Sequence, residues 1–291
     1  MEYQIQNESL TLKVASRGAE MRSLRSSDGV EYLWQADPAI WPETSPILFP
    51  FVGRLTQGHY RYLGKDYPLP QHGFASSSEF SLVSHEGNFL TLALHANEET
   101  KGMYPFDFSF FVTFRLEGAT LTTTYRVENH GAERMPFGLG AHPGFRVPLS
   151  EGEAFEDYRV EFPIPAKADR VGFTEAVFLS GTDLPYPLKE DRFLPLSHSL
   201  FDDDAVILKN MPRSLRLISE KSGRGVALTY PKMPYLGIWH WPKTQAEYLC
   251  LEPWHSLPSR QDIREEITAK SDLVYAEAGG FFETHYTITV F

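Results

Sequence analysis

The sequence predicts an all-β protein, a large antiparallel β-sandwich. Three observations favour this class: short segments of alternating apolar and polar residues recur along the chain, aromatic residues make up 14% of it, and helix signals between the segments are weak. Aromatic side chains are enriched in strands. Because parallel strands need crossover connections that are usually helical, the weak helix signals favour antiparallel pairing.

The alternating segments are the predicted strands. In chain order they lie at 10–14, 89–94, 108–116, 121–127, 215–218, 225–230 and 284–291. A short glycine-containing connection joins the third segment to the fourth and predicts a hairpin. A polar Lys-Ser-Gly-Arg turn between the fifth and sixth segments predicts a second hairpin. Residues 260–270 fit either one short surface helix or an extended polar loop.

No linker rich in glycine, serine or proline divides the 291 residues, and no repeat of fixed period is visible. Length alone suggests roughly two domains, but all-β folds often exceed that size as one unit. We therefore predict a single domain over residues 1–291. A sheet of the expected size is broad enough for its concave face to hold a ligand.

Composition excludes several kinds of partner and site. The net charge of −11 gives no overall attraction to nucleic acid or to an anionic membrane. The single cysteine, Cys250, excludes an internal disulfide and a thiol-only zinc cluster. A basic region followed by an apolar one is absent from the N-terminus, as is any apolar run of about 18 residues. We therefore expect a cytoplasmic protein that binds neither nucleic acid nor membranes.

Three loop-like segments carry polar residues that a stable fold does not need. Arg54 follows a glycine in a proline-bracketed apolar segment, and its planar guanidinium suits paired hydroxyls, a carboxylate or a phosphate. The favoured alternative is a surface arginine paired with a nearby acid. His72 and His142 both lie beside proline and glycine, where a ligand can approach the backbone. Each suits proton transfer near pH 7 or, equally, a structural hydrogen bond.

Acidic and aromatic candidates follow in the C-terminal third. Glu252 ends a short apolar strand just before a proline, where partial desolvation raises the basicity of a carboxylate. The alternative is a carboxylate that accepts backbone hydrogen bonds. Trp239 and Trp241 either pack in the core or stack on the apolar face of a sugar ring. The acidic run 202–204 is typical of a solvated turn and lacks the EF-hand pattern, so no metal site is predicted. Within it, Asp204 is nearest the next apolar segment and is the acid expected to face inward.

Five segments, taken in order, resemble the aldose 1-epimerase (galactose mutarotase-like) superfamily, and within it the bacterial LacX-type branch. They lie at 49–54, 71–75, 140–145, 201–205 and 250–254, so the resemblance covers about residues 46 to 254. No single segment is specific, but the ordered set is. The resemblance implies the supersandwich fold of the family, a large antiparallel β-sandwich with the sugar on one concave sheet. The strand-rich flanks extend it to nearly the whole chain.

The resemblance also implies an isomerase of carbohydrate metabolism that interconverts the α and β anomers of a free aldose and uses no metal or cofactor. By matching segments, Glu252 is the general base and His142 the general acid, the histidine being charged and the carboxylate bare. His72 binds the substrate near its ring oxygen, and Arg54 and Asp204 bind its hydroxyls. One departure is Ser76, where the family often has an arginine, so no contact from that arginine is expected.

Two alternatives stay open. A hexose-6-phosphate epimerase of the same fold needs a local cluster of Lys and Arg, and no dense basic cluster occurs near the candidate loops. A non-catalytic carbohydrate-binding or sensor protein needs no acid–base pair such as Glu252 and His142. The motifs GxSxG, GxxxxGK[ST] and HExxH are absent, so chemistries that depend on them fit poorly. The expected partner is a small sugar, and both a monomer and a homodimer fit.

Overall fold

Two large antiparallel sheets form most of the protein. The computed structural model describes residues 1–291. It contains a nine-stranded sheet, an eight-stranded sheet, a three-stranded sheet at the N-terminus and two two-stranded ribbons. Every pairing between the named strands is antiparallel. The predicted fold class is therefore confirmed.

The strands are short and are joined mostly by turns and loops. In the first half of the chain they are β1 (Glu2–Gln6), β2 (Leu10–Ala15), β3 (Met21–Ser26), β4 (Ile47–Leu48), β5 (His59–Tyr62), β6 (Lys65–Pro68), β7 (Ser81–Glu86), β8 (Phe89–His95), β9 (Phe108–Glu117), β10 (Thr120–Asn129), β11 (Met135–Phe137), β12 (Gly140–Ala141) and β13 (Gly144–Arg146). In the second half they are β14 (Tyr158–Glu161), β15 (Ala168–Arg170), β16 (Leu184–Tyr186), β17 (Phe193–Pro195), β18 (Val206–Lys209), β19 (Ser214–Ser219), β20 (Gly225–Thr229), β21 (Tyr235–Trp239), β22 (Tyr248–Trp254), β23 (Val274–Ala276) and β24 (Phe281–Val290).

Helices are few and short. The α-helix α1 (Glu98–Met103) begins after Asn97, whose side chain accepts from the Thr100 N–H while the Thr100 hydroxyl accepts from the Asn97 N–H. This reciprocal cap satisfies two N–H groups at the helix start. Five 3-10 turns lie at Thr56–Gly58, Ala75–Ser77, Phe155–Asp157, His198–Phe201 and Ile267–Ala269. No helix has the length and apolar composition needed to cross a membrane.

Strand order explains how distant segments meet. The nine-stranded sheet has the order β17-β14-β19-β20-β24-β10-β9-β8-β7. The eight-stranded sheet has the order β16-β15-β18-β21-β22-β12-β4, with β13 also pairing with β22. Both predicted hairpins are confirmed as β9–β10 and β19–β20. Residues 260–270 contain only the last 3-10 turn, so the loop alternative is correct there.

Alternation along β22 separates the core from a second face of the eight-stranded sheet. Leu249 and Leu251 belong to the main core of 65 buried residues, which draws on both ends of the chain. Successive strand residues point to opposite faces. Cys250, Glu252 and Trp254 therefore point away from the main core, and Cys250 and Trp254 pack in two smaller clusters. The single-domain organisation stays a prediction, which the continuous main core supports.

Candidate active site

Strand register places His142 beside Glu252. Gly140 and Gly144, in β12 and β13, pair with the residues of β22 that lie two positions to either side of Glu252. His142 is midway between these glycines, so the same register puts it directly across from Glu252. Such antiparallel neighbours have Cβ atoms about 4.5–5.5 Å apart. The side chains close the gap, and His142 Nε2 lies 3.2 Å from Glu252 Oε2.

Glycine on the other flank of Glu252 keeps space beside the carboxylate. Gly237 of β21 pairs with Glu252 from the opposite side. A Cβ atom at Gly237 would lie 3.1 Å from Glu252 Cβ and 3.3 Å from its carboxyl carbon. At Gly144, a Cβ atom would lie 2.7 Å from the ring of Trp41. The absence of these two side chains lets the carboxylate and the indole occupy the same face of the sheet.

Aromatic rings line the site next to His142. The Trp41 ring lies 5.2 Å from the imidazole of His142 and stacks on Tyr248 at 5.2 Å. The Trp239 ring lies 5.6 Å from both Trp41 and His142. Trp41 is buried, whereas Trp239 keeps part of its surface accessible and Trp241 is exposed. Trp239 therefore combines packing with an accessible ring surface at the site.

The loop before Gly73 brings a second imidazole to the site. His72 lies edge-on to His142, with ring centroids 5.9 Å apart and planes at 87°. The Gly53 N–H donates to His72 Nδ1 at 3.1 Å, and the His72 N–H donates to the Gly53 carbonyl at 2.9 Å. On the other side of the ring, His72 Nε2 lies 3.2 Å from the side-chain nitrogen of Gln71. Both hydrogen bonds hold this loop against the segment that precedes Arg54.

Arg54 does not form the surface ion pair considered from the sequence. Its Nε donates to the side-chain oxygen of Gln71 at 3.2 Å, and one terminal nitrogen donates to the Ala176 carbonyl at 3.5 Å. No carboxylate lies within ion-pair distance of it. The exposed guanidinium therefore keeps donor capacity for a ligand.

Gly73 sets the position of the His72 loop, and this gives a stability prediction. Its φ is +77°, and an added Cβ atom would lie 2.2 Å from the Phe49 carbonyl oxygen. Gly64 has the same φ of +77° but no atom within 4 Å of such a Cβ. Gly64→Ala should therefore cost about 1 kcal/mol of backbone strain. We expect Gly73→Ala to lower the free energy of unfolding by about 3 kcal/mol or more, because the loop must also move.

Urea unfolding of the two variants beside the parent protein measures this difference. Equal losses at Gly64 and Gly73 would show that the Phe49 carbonyl does not constrain the loop. A large loss at Gly73 alone would show that it does.

Burial dominates the electrostatics of the pair. Desolvation, and to a smaller extent the charge of Asp204, raises the pKa of Glu252 well above its ordinary value. Burial lowers the pKa of His142 to about 3, with a smaller contribution from His72. Burial and the Arg54 guanidinium lower the pKa of His72 to about 4.

These directions favour a neutral imidazole and a protonated carboxyl, whereas the mechanism implied by the resemblance starts from a charged His142 and a bare Glu252. The two forms hold the same number of protons and differ only in whether the shared proton is on Glu252 or on His142. Conversion between them needs no proton from solvent. Desolvation penalises charge, which is why the neutral form is the one favoured by burial.

Asp204 is the inward acid of its run. It is half-buried with φ +75°, and Oδ1 accepts from the Ala205 N–H at 2.9 Å, while Asp202 and Asp203 are exposed. Asp204 lies just before β18, β18 pairs with β21, and β21 pairs with Glu252 through Gly237; the charge of Asp204 also contributes to the raised pKa of Glu252. The structure thus brings all six candidate residues into one region.

Sequence reasoning missed Trp41 and Gly237. The position of Gly237 opposite Glu252 becomes meaningful only once the pairing of β21 with β22 is known.

Known proteins share both this sequence and this fold. The family described as Aldose 1-epimerase matches residues 1–271. Protein LacX, chromosomal, from Lactococcus lactis subsp. lactis is 35% identical over 265 residues, which cover 88% of each chain. The galactose mutarotase related enzyme from Lactobacillus acidophilus has a TM-score of 0.95 at 34% identity, covering 100% of this chain and 97% of that one. A galactose mutarotase-like protein from Lactobacillus casei ATCC 334 has a TM-score of 0.94 at 32% identity, with both chains covered completely. The chain therefore belongs to the aldose 1-epimerase family, as the ordered segments predicted.

Proposed function

We propose that the protein is a mutarotase, an isomerase that interconverts the α and β anomers of a free aldose by general acid–base ring opening. The observation that carries this proposal is the contact of 3.2 Å between His142 Nε2 and Glu252 Oε2 on the face of the sheet that points away from the main core. A protein that only binds sugar does not need such a pair, and burying two ionisable side chains lowers the free energy of unfolding. The pair therefore favours an enzyme over a non-catalytic sugar sensor.

Ring opening and closing each move two protons. Glu252 takes the proton of the C1 hydroxyl as the C1–O1 bond becomes a carbonyl, the bond between C1 and the ring oxygen breaks, and His142 protonates that oxygen. After rotation about the C1–C2 bond, His142 takes the proton back, the oxygen attacks the other face of C1, and Glu252 protonates O1. Each half-reaction converts one tautomer of the pair into the other. O1 and the ring oxygen are both bonded to C1 and therefore lie close together. A single adjacent acid–base pair can exchange protons with both oxygens.

The surrounding residues would hold the sugar over the pair. Arg54 and Asp204 would bind hydroxyls, His72 would bind the sugar near its ring oxygen, and Trp239 would stack on the apolar face of the ring. All of these groups come from one chain, so the reaction needs no second copy, whether the protein is a monomer or a homodimer. We place the reaction in a reducing cytoplasm.

Polarimetry tests the proposal directly. Fresh α-D-glucose and α-D-galactose should each reach their equilibrium rotation faster with the protein than without it. Glucose-6-phosphate should be measured in parallel. Acceleration of the phosphate alone would replace the proposal with a hexose-6-phosphate epimerase. Tight sugar binding without any acceleration would replace it with a sugar-binding protein.

A further inference from the structure

A thiol lies next to the acid–base pair. Cys250 and Glu252 are two residues apart in β22, so both side chains project from the same face, and His142 faces them from the neighbouring strand segment. One ligand atom from each of the three residues lies within 4.8 Å of the other two. The mechanism uses His142 and Glu252 but has no role for Cys250.

Two buried polar atoms of this group lack hydrogen-bond partners. Glu252 is 1% exposed, and its Oε2 has no hydrogen-bond partner, because the contact with His142 Nε2 is close but not aligned as a hydrogen bond. His142 Nδ1 is also buried without a partner. Buried polar atoms are normally satisfied, and leaving them unpaired is costly. Glu252 Oε2 is therefore an acceptor left open to a ligand in the cluster, whereas Nδ1 is the ring nitrogen that does not face Glu252.

The chemistry of the donors selects a class of ligand. A nitrogen, a thiolate sulfur and a carboxylate oxygen form a set typical of Zn²⁺, with a fourth position left open, whereas Mg²⁺ and Ca²⁺ prefer oxygen alone. Tetrahedral zinc bonds of about 2.0–2.3 Å put donor atoms roughly 3.5 Å apart. Donors that lie up to 4.8 Å apart would therefore have to approach one another. Burial raises the pKa of Cys250, so its thiolate would form only as the metal displaces the proton.

We propose that His142, Cys250 and Glu252 form a binding site for a thiophilic divalent cation such as Zn²⁺. Zinc binds the thiolate and carboxylate forms of these groups, so protons leave the site as the cation enters. The charges of the bound divalent ion, the thiolate and the carboxylate sum to zero, and a neutral group of ligands suits a desolvated position. Occupancy inhibits the reaction because the cation holds both proton-transfer groups. The binding rests on geometry alone, while the inhibition also rests on the proposed function.

Co²⁺ and Zn²⁺ are the probes of this site. Chelator-treated protein titrated with Co²⁺ should show a thiolate-to-cobalt absorption band, and calorimetry with Zn²⁺ should show one site per chain. Polarimetry should show inhibition by Zn²⁺, reversal by chelator, and no inhibition by Mg²⁺. Cys250→Ala should keep the basal rate and weaken Zn²⁺ binding at least about 10-fold. Cys250→Ser serves as a second variant that keeps the size of the side chain.

The outcomes separate the two proposals. Inhibition of Cys250→Ala and Cys250→Ser at the same Zn²⁺ concentration as the parent, or a missing cobalt–thiolate band, overturns the metal site. A cobalt–thiolate band in a protein that accelerates no sugar supports the metal site and overturns the mutarotase proposal.

Discussion

Glu252→Gln and His142→Asn are each expected to lower the kcat of anomer exchange by at least about 10²-fold, because each removes one of the two groups that move protons. Glutamine cannot take the C1 hydroxyl proton, and asparagine cannot protonate the ring oxygen. Polarimetry at saturating aldose measures kcat directly. The loss should appear for every aldose that the parent protein converts.

The Glu252→Gln substitution is chosen so that a loss of kcat cannot be explained by unfolding. Glu252 is a desolvated carboxyl whose Oε2 has no aligned hydrogen bond, so Glu252→Gln should unfold at about the same temperature as the parent or higher. Glu31→Gln is the matched control, because Glu31 is also buried but accepts from the Leu24 and Leu33 N–H groups and has no hydrogen bond or ion pair with His142 or Glu252. The Glu31→Gln variant should have a lower free energy of unfolding than the parent and the same kcat. A folded Glu252→Gln protein with a normal rate would remove Glu252 from the mechanism.

Gly237→Val is expected to lower kcat/KM by about 10²-fold, the cost that a displacement of roughly 1 Å can impose on a catalytic group. The new Cβ atom would lie 3.3 Å from the Glu252 carboxyl carbon and 3.3 Å from Ile207 Cδ1, and valine adds two methyl groups beyond it. Because β-branched residues suit strands, β21 itself should persist. The carboxylate should therefore move while the fold remains.

Ile238→Val, the neighbouring substitution on the core face of β21, is the control for Gly237→Val. Ile238 belongs to the main core, so its truncation should cost about 0.5–1.5 kcal/mol of stability and leave kcat/KM unchanged. Thermal unfolding and polarimetry on both variants provide the two readouts. A Gly237→Val protein within threefold of the parent rate would show that the space beside Glu252 is not needed.

Local signals predicted the elements that depend on near neighbours. The β9–β10 hairpin follows from two alternating segments and a short glycine-containing turn, and its pairing is the one expected. Helix α1 was missed because six residues give too little periodicity, although the Asn97 and Thr100 cap is readable afterwards. The 260–270 segment stayed ambiguous because its polar residues fit a helix surface and a loop equally well.

The sequence by itself determined the fold class, through strand alternation, and the family, through the order of five short segments. Only the tertiary structure decided that His142 stands across from Glu252, that Arg54 lacks an acidic partner, and that Cys250 joins the pair. The physical reason is that alternation is set by adjacent residues, whereas register and burial are set by strands distant in the chain. A side chain's neighbours, and hence its pKa and its chemistry, exist only after those strands have paired.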